Sequence, residues 1–160
     1  MTTLRRAVAA DAAALTRLRG LMHEAMGARP TPESVAATQA AFARRLGTDG
    51  FVAYVVEDAG RVVSCGVGWV EEHLPAPYQL DARRGHIASM STEVAARRQG
   101  HARAVFEALM AWFAGQGIVR VDLRATEDGR SLYEEFGFRE LGGAMMAWFA
   151  PGARAGLARS

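Results

Sequence analysis

Apolar residues recur along this chain with two different spacings, and the changes between them predict alternating strands and helices. Short runs rich in β-branched and aromatic residues predict strands at residues 4–8, 51–58, 61–70, 86–94, 118–125, 138–141 and 144–149. Apolar residues three and four apart predict helices that begin at Asp11, Thr31, Gly100 and Asp128. The order of these segments favours a layered domain that contains both helices and a sheet.

Turn and cap residues support these boundaries. Thr31 precedes Pro32, which is the usual arrangement of a helix cap and first turn. Ala59-Gly60 predicts a tight turn between two strands, so residues 51–70 are expected to form a hairpin. Residues 71–85 show no period and predict a long loop, a kind of segment that often carries function.

The strand, helix and strand predicted over residues 86–125 are long enough for a parallel crossover. We therefore expect an α/β (α+β) architecture, with one central mixed and mostly antiparallel sheet of six to seven strands flanked by about four helices. Residues 1–150 are expected to form a single domain. Residues 151–160, mainly small residues and Arg, are expected to form a loose C-terminal tail.

Composition limits the class of protein. The chain has 160 residues, 50% of them hydrophobic, which suits one domain with a sizeable core. Its single Cys65 cannot form an internal disulfide, its N-terminus lacks a signal peptide's apolar region, and no window is long enough to span a membrane. A soluble, cytoplasmic protein is therefore expected. A net charge of +2 is too small to make nucleic acid the default partner.

The most informative stretch lies at the start of the third predicted helix. The apolar stripe of that helix begins just after Gly100, so its first amides, which have no intrahelical acceptor, lie near that glycine. Arg97, Arg98 and Arg103 add positive charge around them, and Gly100 and Ala102 have almost no side chain to block a ligand. Free amides, a helix dipole and fixed positive charge together suit a pyrophosphate.

Two motifs in this half of the chain resemble a known family. The stretch Arg97-Arg98-Gln99-Gly100-His101-Ala102 is similar to the Arg/Gln-x-x-Gly-x-Gly/Ala signature of the GNAT superfamily N-acetyltransferases. The segment Leu132-Tyr133-Glu134-Glu135-Phe136-Gly137-Phe138 resembles the Leu-Tyr-x-x-x-Gly-Phe ending that follows the crossover in the same family. The resemblance extends from Leu4 to Phe149, and residues 86–138 carry its specificity.

The resemblance implies the GNAT fold with a parallel, splayed pair of strands at the cofactor site. It also implies acetyl-coenzyme A as the cofactor and no metal, with the pantetheine on the backbone of a bulged central strand and the pyrophosphate on the turn. The implied cofactor-binding residues are Met90, Ser91, Thr92, Arg97, Arg98, Gln99, Gly100, His101, Ala102, Arg103, Thr126 and Arg130. Where this chain has Thr126, many members have an Asn that contacts the cofactor, so the contact here falls to a shorter side chain.

Acetyl transfer to an amine requires a neutral nucleophile, stabilisation of an oxyanion and a proton for the departing thiolate. Tyr133 occupies the family's general-acid position, and a phenol of pKa about 10 can protonate a thiolate whose conjugate acid has a pKa of about 8.5. His86 stands eleven residues before Arg97, where histone-acetylating relatives place a Glu, and is the candidate base. Glu93 is the alternative base, ahead of Glu71 and Glu72. Two alternatives to these catalytic roles remain open. Tyr133 could be a core packing residue, and His86 could be a solvent-facing residue at the edge of a strand.

The family places its acceptor on the far side of the central strand from the pyrophosphate, and here a small-molecule primary amine, small and cationic, is expected beside the long loop. Trp69, Glu71 and Glu72 offer an aromatic surface and two carboxylates that attract an ammonium. Arg83 and Arg84 in the same loop leave an amino acid or an aminoacyl-tRNA open as acceptor. The alternatives to small-molecule N-acetylation are acetylation of a protein N-terminus and a non-catalytic acyl-coenzyme A-binding module. A homodimer is also left open.

Overall fold

The computed structural model describes residues 1–153. Within that range the chain forms five strands and four α-helices, in the order β1 (Thr2–Arg6), α1 (Ala12–Ala25), α2 (Pro32–Arg45), β2 (Phe51–Asp58), β3 (Arg61–Glu72), β4 (Arg83–Thr92), α3 (His101–Gly115), β5 (Val121–Leu123) and α4 (Glu127–Glu135). None of the helices in the described range is long and apolar enough to cross a membrane. Residues 154–160 of the predicted tail lie outside the described residues, and the single domain at residues 1–150 stays a prediction.

The strands form one mixed sheet in the order β1-β2-β3-β4-β5. Neighbouring strands run antiparallel from β1 to β4. β5 lies parallel to β4, because α3 carries the chain across the sheet between them. The predicted hairpin is confirmed as β2 and β3, joined at Ala59 and Gly60, which both have positive φ. The sheet is therefore mostly antiparallel with one parallel pair, as expected.

The sheet separates two apolar cores. Successive residues of β2 point to opposite faces, so Phe51, Ala53 and Val55 join one core and Val52 and Val56 join the other. The helices supply the remaining large side chains, which are Leu15 and Leu18 of α1 with Phe42 of α2 in the first core, and Val105, Phe106, Leu109 and Phe113 of α3 in the second. One face of the sheet is thus covered by α1 and α2, and the other by α3.

A bulge interrupts the pairing of β3 with β4. Cys65 lies opposite Ser91 and Val67 lies opposite Ala88, so β4 has one more residue than β3 over this interval. Ser89 has a φ of 54°, a left-handed conformation that is uncommon for a residue with a side chain. The extra residue shifts the side chains that follow it relative to the two faces of the sheet.

The parallel pair opens beyond a short stretch of contact. β5 pairs with β4 only from Gly85 to Ile87, and the chain then turns away into α4. Within residues 1–153 no strand lies beyond β5, and none replaces it along this edge of β4. The backbone at residues 88–92 therefore faces an opening between the two strands, at the place where the resemblance implied a splayed pair.

The predicted count of six to seven strands is wrong, because residues 138–141 and 144–149 form no strand in the described structure. Gly142 and Gly143 interrupt the segment, and β5, which is 3 residues long, offers little edge for pairing. Two strands on their own bury too little surface to be stable. The strand-like composition therefore lacks a partner, and apolar side chains such as Trp148 remain 83% exposed.

Two predicted helix caps have different outcomes. Thr31 is confirmed as a cap, because its Oγ1 accepts a hydrogen bond from the Ser34 amide at 3.1 Å. Asp11 makes no side-chain bond to α1 and instead accepts from the Val8 amide at 2.8 Å and from Arg5 at 2.8 and 2.9 Å. The Arg5 guanidinium lowers the pKa of Asp11. The Arg5–Asp11 ion pair therefore stabilises the folded chain at pH values above the pKa that Asp11 has in the unfolded chain. This stabilisation is lost as the pH falls through the lower pKa that Asp11 has in the folded chain.

α3 packs so closely on the sheet that glycine is required beneath it. A Cβ atom on Gly85 would lie 2.6 Å from Phe113 Cε1 and 3.0 Å from Val121 Cγ2. We expect Gly85→Ala to lower the free energy of unfolding by about 1–3 kcal/mol, because the buried ring must move. Gly115→Ala is the control, since a Cβ there meets nothing within 4 Å. Equal melting temperatures for the two variants would contradict this account of the packing.

Candidate active site

The turn before α3 presents a row of free backbone amides. Gly100, which precedes the helix, has a φ of 80°, and a Cβ there would meet nothing within 4 Å. The Ala104 amide donates to the Gly100 carbonyl at 3.0 Å, but no described residue accepts a hydrogen bond from the amides of residues 98–103. These amides, at the positive end of the helix dipole, are therefore available to an anion.

His101 adds an unsatisfied side chain to the same turn. Its Nε2 is the only buried side-chain nitrogen or oxygen without a hydrogen-bond partner among residues 1–153. Such an atom destabilises the folded chain unless some group bonds to it. The start of α3 thus combines free amides, an unpaired imidazole nitrogen and open space above Gly100, which fits a polar, phosphate-bearing ligand.

The positive charges predicted around this turn are not equally free. Arg103 forms an ion pair with Glu135, whereas Arg97 donates to the Thr92 carbonyl at 3.3 Å. Arg98 has a φ of 61° and contacts no carboxylate among the residues that the structure describes. Arg97 and Arg98 therefore keep their charge available to a phosphate, while the charge of Arg103 is compensated.

Three further cofactor candidates, Gln99, Thr126 and Arg130, lie near the N-termini of α3 and α4. Gln99 donates from its side-chain amide to a backbone carbonyl at 3.4 Å. Arg130 donates to Glu134 at 2.7 Å and to Glu140 at 3.0 Å, so its charge is also compensated. Thr126 precedes α4, and its hydroxyl makes no capping bond, which leaves it free for a ligand.

The residues that follow the bulge in β4 offer mainly backbone to a ligand. Ser91 Oγ donates to the Leu18 carbonyl at 2.8 Å, and Thr92 Oγ1 lies 2.7 Å from Ser64 Oγ. Met90 packs against the second core, which lies between the sheet and α3 and is called the α3-side core below. Because these side chains are engaged, Met90, Ser91 and Thr92 can contact a molecule in the β4–β5 opening through their main chain.

Tyr133 is buried in the α3-side core, but its hydroxyl oxygen remains accessible to solvent. The side chain is 8% exposed, and its ring centroid lies 5.2 Å from that of Phe106. The hydroxyl bonds to no described residue and is not among the buried unpaired atoms, so it reaches the surface. Burial raises the pKa of Tyr133, so the phenol keeps its proton throughout the neutral range.

His86 lies on the other face of the sheet, against Trp69. The two are register partners on β4 and β3, and their ring centroids are 4.7 Å apart. Trp69 Nε1 donates to Glu71 at 2.9 Å, and His73 Nε2 lies 3.1 Å from the second Glu71 oxygen. The Trp69 bond, followed by that of His73, lowers the pKa of Glu71. Tyr133 and His86 therefore contact opposite faces of the sheet, and the Glu71 carboxylate is held by its neighbours.

The remaining acidic candidates, Glu93 and Glu72, lie at the ends of strands: Glu93 directly follows β4, and Glu72 is the last residue of β3. Glu93 forms ion pairs with Arg17 and Arg61. Burial raises its pKa, but the two guanidinium groups outweigh burial and hold the pKa below its usual value. Glu72 is exposed at the end of β3, opposite Arg83. The ion pairs of Glu93 make it a poor proton acceptor at neutral pH.

Comparison with known proteins decides the family. The model of the acetyltransferase (GNAT) family matches residues 17–138. The chain belongs to the GNAT acetyltransferase family. A comparison with curated proteins gave no match.

Solved structures share the fold of this chain over nearly its whole length. A predicted acetyltransferase with acetyl-CoA from Clostridium acetobutylicum has a TM-score of 0.84 and 21% identity, over 92% of this chain and 96% of that one. A GCN5-related N-acetyltransferase from Ralstonia eutropha JMP134 has a TM-score of 0.79 and 26% identity, over 95% and 100%. A glucosamine-6-phosphate N-acetyltransferase from Arabidopsis thaliana has a TM-score of 0.71 and 20% identity, over 94% and 99%.

The structure also contains a cavity that the sequence patterns did not predict. It measures about 320 Å³, lies between the sheet and helices α1 and α2, and has Arg19, Arg45, Trp69 and Ser89 in its lining. One signal was available, because Arg19 stands four residues after Leu15, on the stripe of α1 that should be apolar. Of the predicted acceptor residues, Trp69 lines this cavity, whereas Glu71 and Glu72 do not.

Gly100→Asp should weaken binding of acetyl-coenzyme A by about tenfold or more, because a carboxylate would face the phosphates and the side chain would fill the open space. Gly60→Asp is the matched control, since Gly60 has a φ of 78° and equally open surroundings in the β2–β3 turn. Both variants place an Asp at nearly the same positive φ, so a difference in affinity measured by calorimetry reflects the position of the new carboxylate. Equal cofactor affinity in the two folded variants would contradict the role of the turn.

The ion pair of Arg103 predicts unequal effects for two arginines of the turn. Arg98→Gln should weaken cofactor binding about 3- to 10-fold, because it removes an uncompensated charge. Arg103→Gln should have a smaller effect, because Glu135 already neutralises that charge. Titrations at low and high salt measure both, and an Arg103→Gln effect larger than that of Arg98→Gln would contradict this assignment.

Proposed function

We propose that this protein is an N-acetyltransferase that moves the acetyl group of acetyl-coenzyme A directly to a primary amine of a small molecule within a ternary complex. The observation that carries the proposal is the row of free amides at residues 98–103, next to the unpaired β4 edge at residues 88–92. An extended ligand with an anionic end suits both features, because strand edges bind extended chains and helix N-termini bind phosphates.

Acetyl-coenzyme A would supply an activated acetyl thioester. The amides of the turn, with Arg97 and Arg98, would hold its anionic part, and the main chain of Met90, Ser91 and Thr92 would hold its extended arm. His101 Nε2 has no hydrogen-bond partner among the described residues, so a polar group of the ligand would satisfy it.

Tyr133 is proposed to be the general acid. Its hydroxyl bonds to no described residue, and burial raises its pKa, so the group holds a proton that it can donate. The packing of its ring against Phe106 fixes the direction of the hydroxyl without using its hydrogen bonds. The rigid placement and the retained proton both suit donation to a leaving thiolate.

His86 is proposed to be the base. It lies on the face of the sheet that carries the cavity, and its ring contacts Trp69, which lines that cavity. An imidazole is the side chain best suited to accept a proton near neutral pH, directly or through water. Glu93 is the weaker candidate, because both of its arginine partners favour the ionised carboxylate.

A small molecule is the proposed acceptor because the cavity of about 320 Å³ lies near the lower limit for ligand sites. The test is release of free thiol from acetyl-coenzyme A with a panel of amino acids, amino sugars, polyamines and short peptides. Turnover of a small amine is expected. Turnover restricted to peptides would reject the small-molecule assignment, and binding of acetyl-coenzyme A without turnover would reject catalysis.

Tyr133→Phe should lower kcat by roughly 10²-fold, because the proton donor is lost, with cofactor affinity little changed. Because burial raises the pKa of Tyr133, any alkaline decline of wild-type kcat caused by loss of this proton should begin at a higher pH than an exposed tyrosine would give. The variant should lack that alkaline decline. Wild-type turnover in the Phe variant would reduce Tyr133 to a packing residue.

A further inference from the structure

The cavity between α1, α2 and the sheet is lined by positively charged side chains and, in the described part of the chain, by no acidic one. Its polar lining is Arg19, Thr38, Arg45 and Ser89, and its apolar lining includes Phe42, Phe51 and Trp69. An adjoining cavity of about 260 Å³ shares Arg19 and Thr38 and adds His23 and Arg29. Among residues 1–153, no Asp or Glu lines either cavity. The combined cleft therefore favours an anionic group over an ammonium.

Arg19 points into this cleft without a compensating charge. It donates to Ser89 Oγ at 2.5 Å, and within residues 1–153 it contacts no carboxylate. Other arginines are paired with acids, among them Arg5, Arg17, Arg61, Arg83, Arg103, Arg120 and Arg130. Burial lowers the pKa of Arg19, which reflects the cost of holding a guanidinium away from water. An anion bonded to it would offset that cost.

Arg45 supplies a second positive group at the same cavity. Its guanidinium carbon lies 4.2 Å from the ring centroid of Phe51 and 5.1 Å from that of Trp69. Stacking fixes the plane of the guanidinium and leaves its N–H edge for an acceptor. Arg45 contacts no carboxylate among the described residues, so both arginines of the cavity keep donors for a ligand.

We propose that the acceptor amine also carries an anionic group, a carboxylate or a phosphate, which Arg19 and Arg45 bind while its apolar part packs against Phe51 and Trp69. This assignment rests on the proposed N-acetyltransferase function and names the substrate class of that site. It replaces the expected cationic amine, because the Glu71 carboxylate is occupied by Trp69 and His73 and does not line the cavity. Ser89, at the bulge of β4, lies where the cavity meets the strand proposed to hold the cofactor.

Matched pairs of amines test the proposal. L-phenylalanine and 2-phenylethylamine differ by a carboxylate, and glucosamine 6-phosphate and glucosamine differ by a phosphate. We expect the anionic member of at least one pair to have a kcat/KM about tenfold or more higher than its partner, and the pair that responds identifies the anion. A kcat/KM for the anionic member that is no higher than that of its partner in either pair, or a higher kcat/KM for spermidine than for both anionic members, would overturn the proposal.

Variants assign the effect to the two arginines. Arg19→Gln and Arg45→Gln should each remove most of the preference for the anionic partner, mainly through KM, and leave cofactor affinity unchanged. Arg19→Lys should keep part of it, because a lysine retains the charge without the planar fork. Arg44→Gln is the control, since Arg44 is exposed on α2 and does not line the cavity. A preference retained in both Arg19→Gln and Arg45→Gln would contradict the assignment.

A binding measurement separates failure of this proposal from failure of the proposed function. N-acetyl-L-phenylalanine and glucosamine 6-phosphate are titrated into the protein by calorimetry, with N-acetyl-2-phenylethylamine and glucosamine as the comparisons that lack the carboxylate or the phosphate. If no amine is acetylated but an anionic probe binds and Arg19→Gln abolishes that binding, the catalytic proposal fails and the anion site stands. If thiol is released with amines that lack an anionic group while neither anionic probe binds, the anion site fails and the N-acetyltransferase stands.

Discussion

The close packing of α3 against β3 and β4 is the constraint on which the rest of the site depends. A Cβ on Gly66 would collide with Met90, Val105 and Leu109, and a Cβ on Gly85 would collide with Phe113. With glycine at these positions the helix lies directly on the sheet, and its apolar stripe is fully buried. The start of α3 is thereby held beside the end of β4, so amides of the turn and backbone of the strand come together.

The bulge in β4 affects which side chains lie on each face of the sheet. Ser89 bonds to Arg19 on the α1 side, whereas the next residue, Met90, packs on the α3 side. A strand without the extra residue would carry these side chains in another register. One irregularity thus connects the cavity on one face with the opening beside β5. The proposed acid, Tyr133, and the proposed base, His86, lie on opposite faces of this sheet.

Charge pairing decides which of the many arginines are available, and no local pattern reveals it. Arg103 belongs to the motif that predicts phosphate binding, yet Glu135 of α4 neutralises it. Arg19 belongs to no motif, but it lacks a carboxylate among the described residues and lines the cavity. The relevant partners are far apart in sequence, so the tertiary structure determines which arginines lie next to a carboxylate and which do not.

The sequence by itself determined the helices, the hairpin, the parallel crossover and the turn at Gly100, because these depend on local periodicity, capping and the conformational freedom of glycine. It also determined the family, through motifs whose residues are neighbours in the chain. Only the tertiary structure decided that residues 138–149 form no strands in the described chain, since a strand exists only with a partner to pair with. It likewise decided the cavity and its uncompensated Arg19 and Arg45, because burial and ion pairing are set by residues distant in sequence.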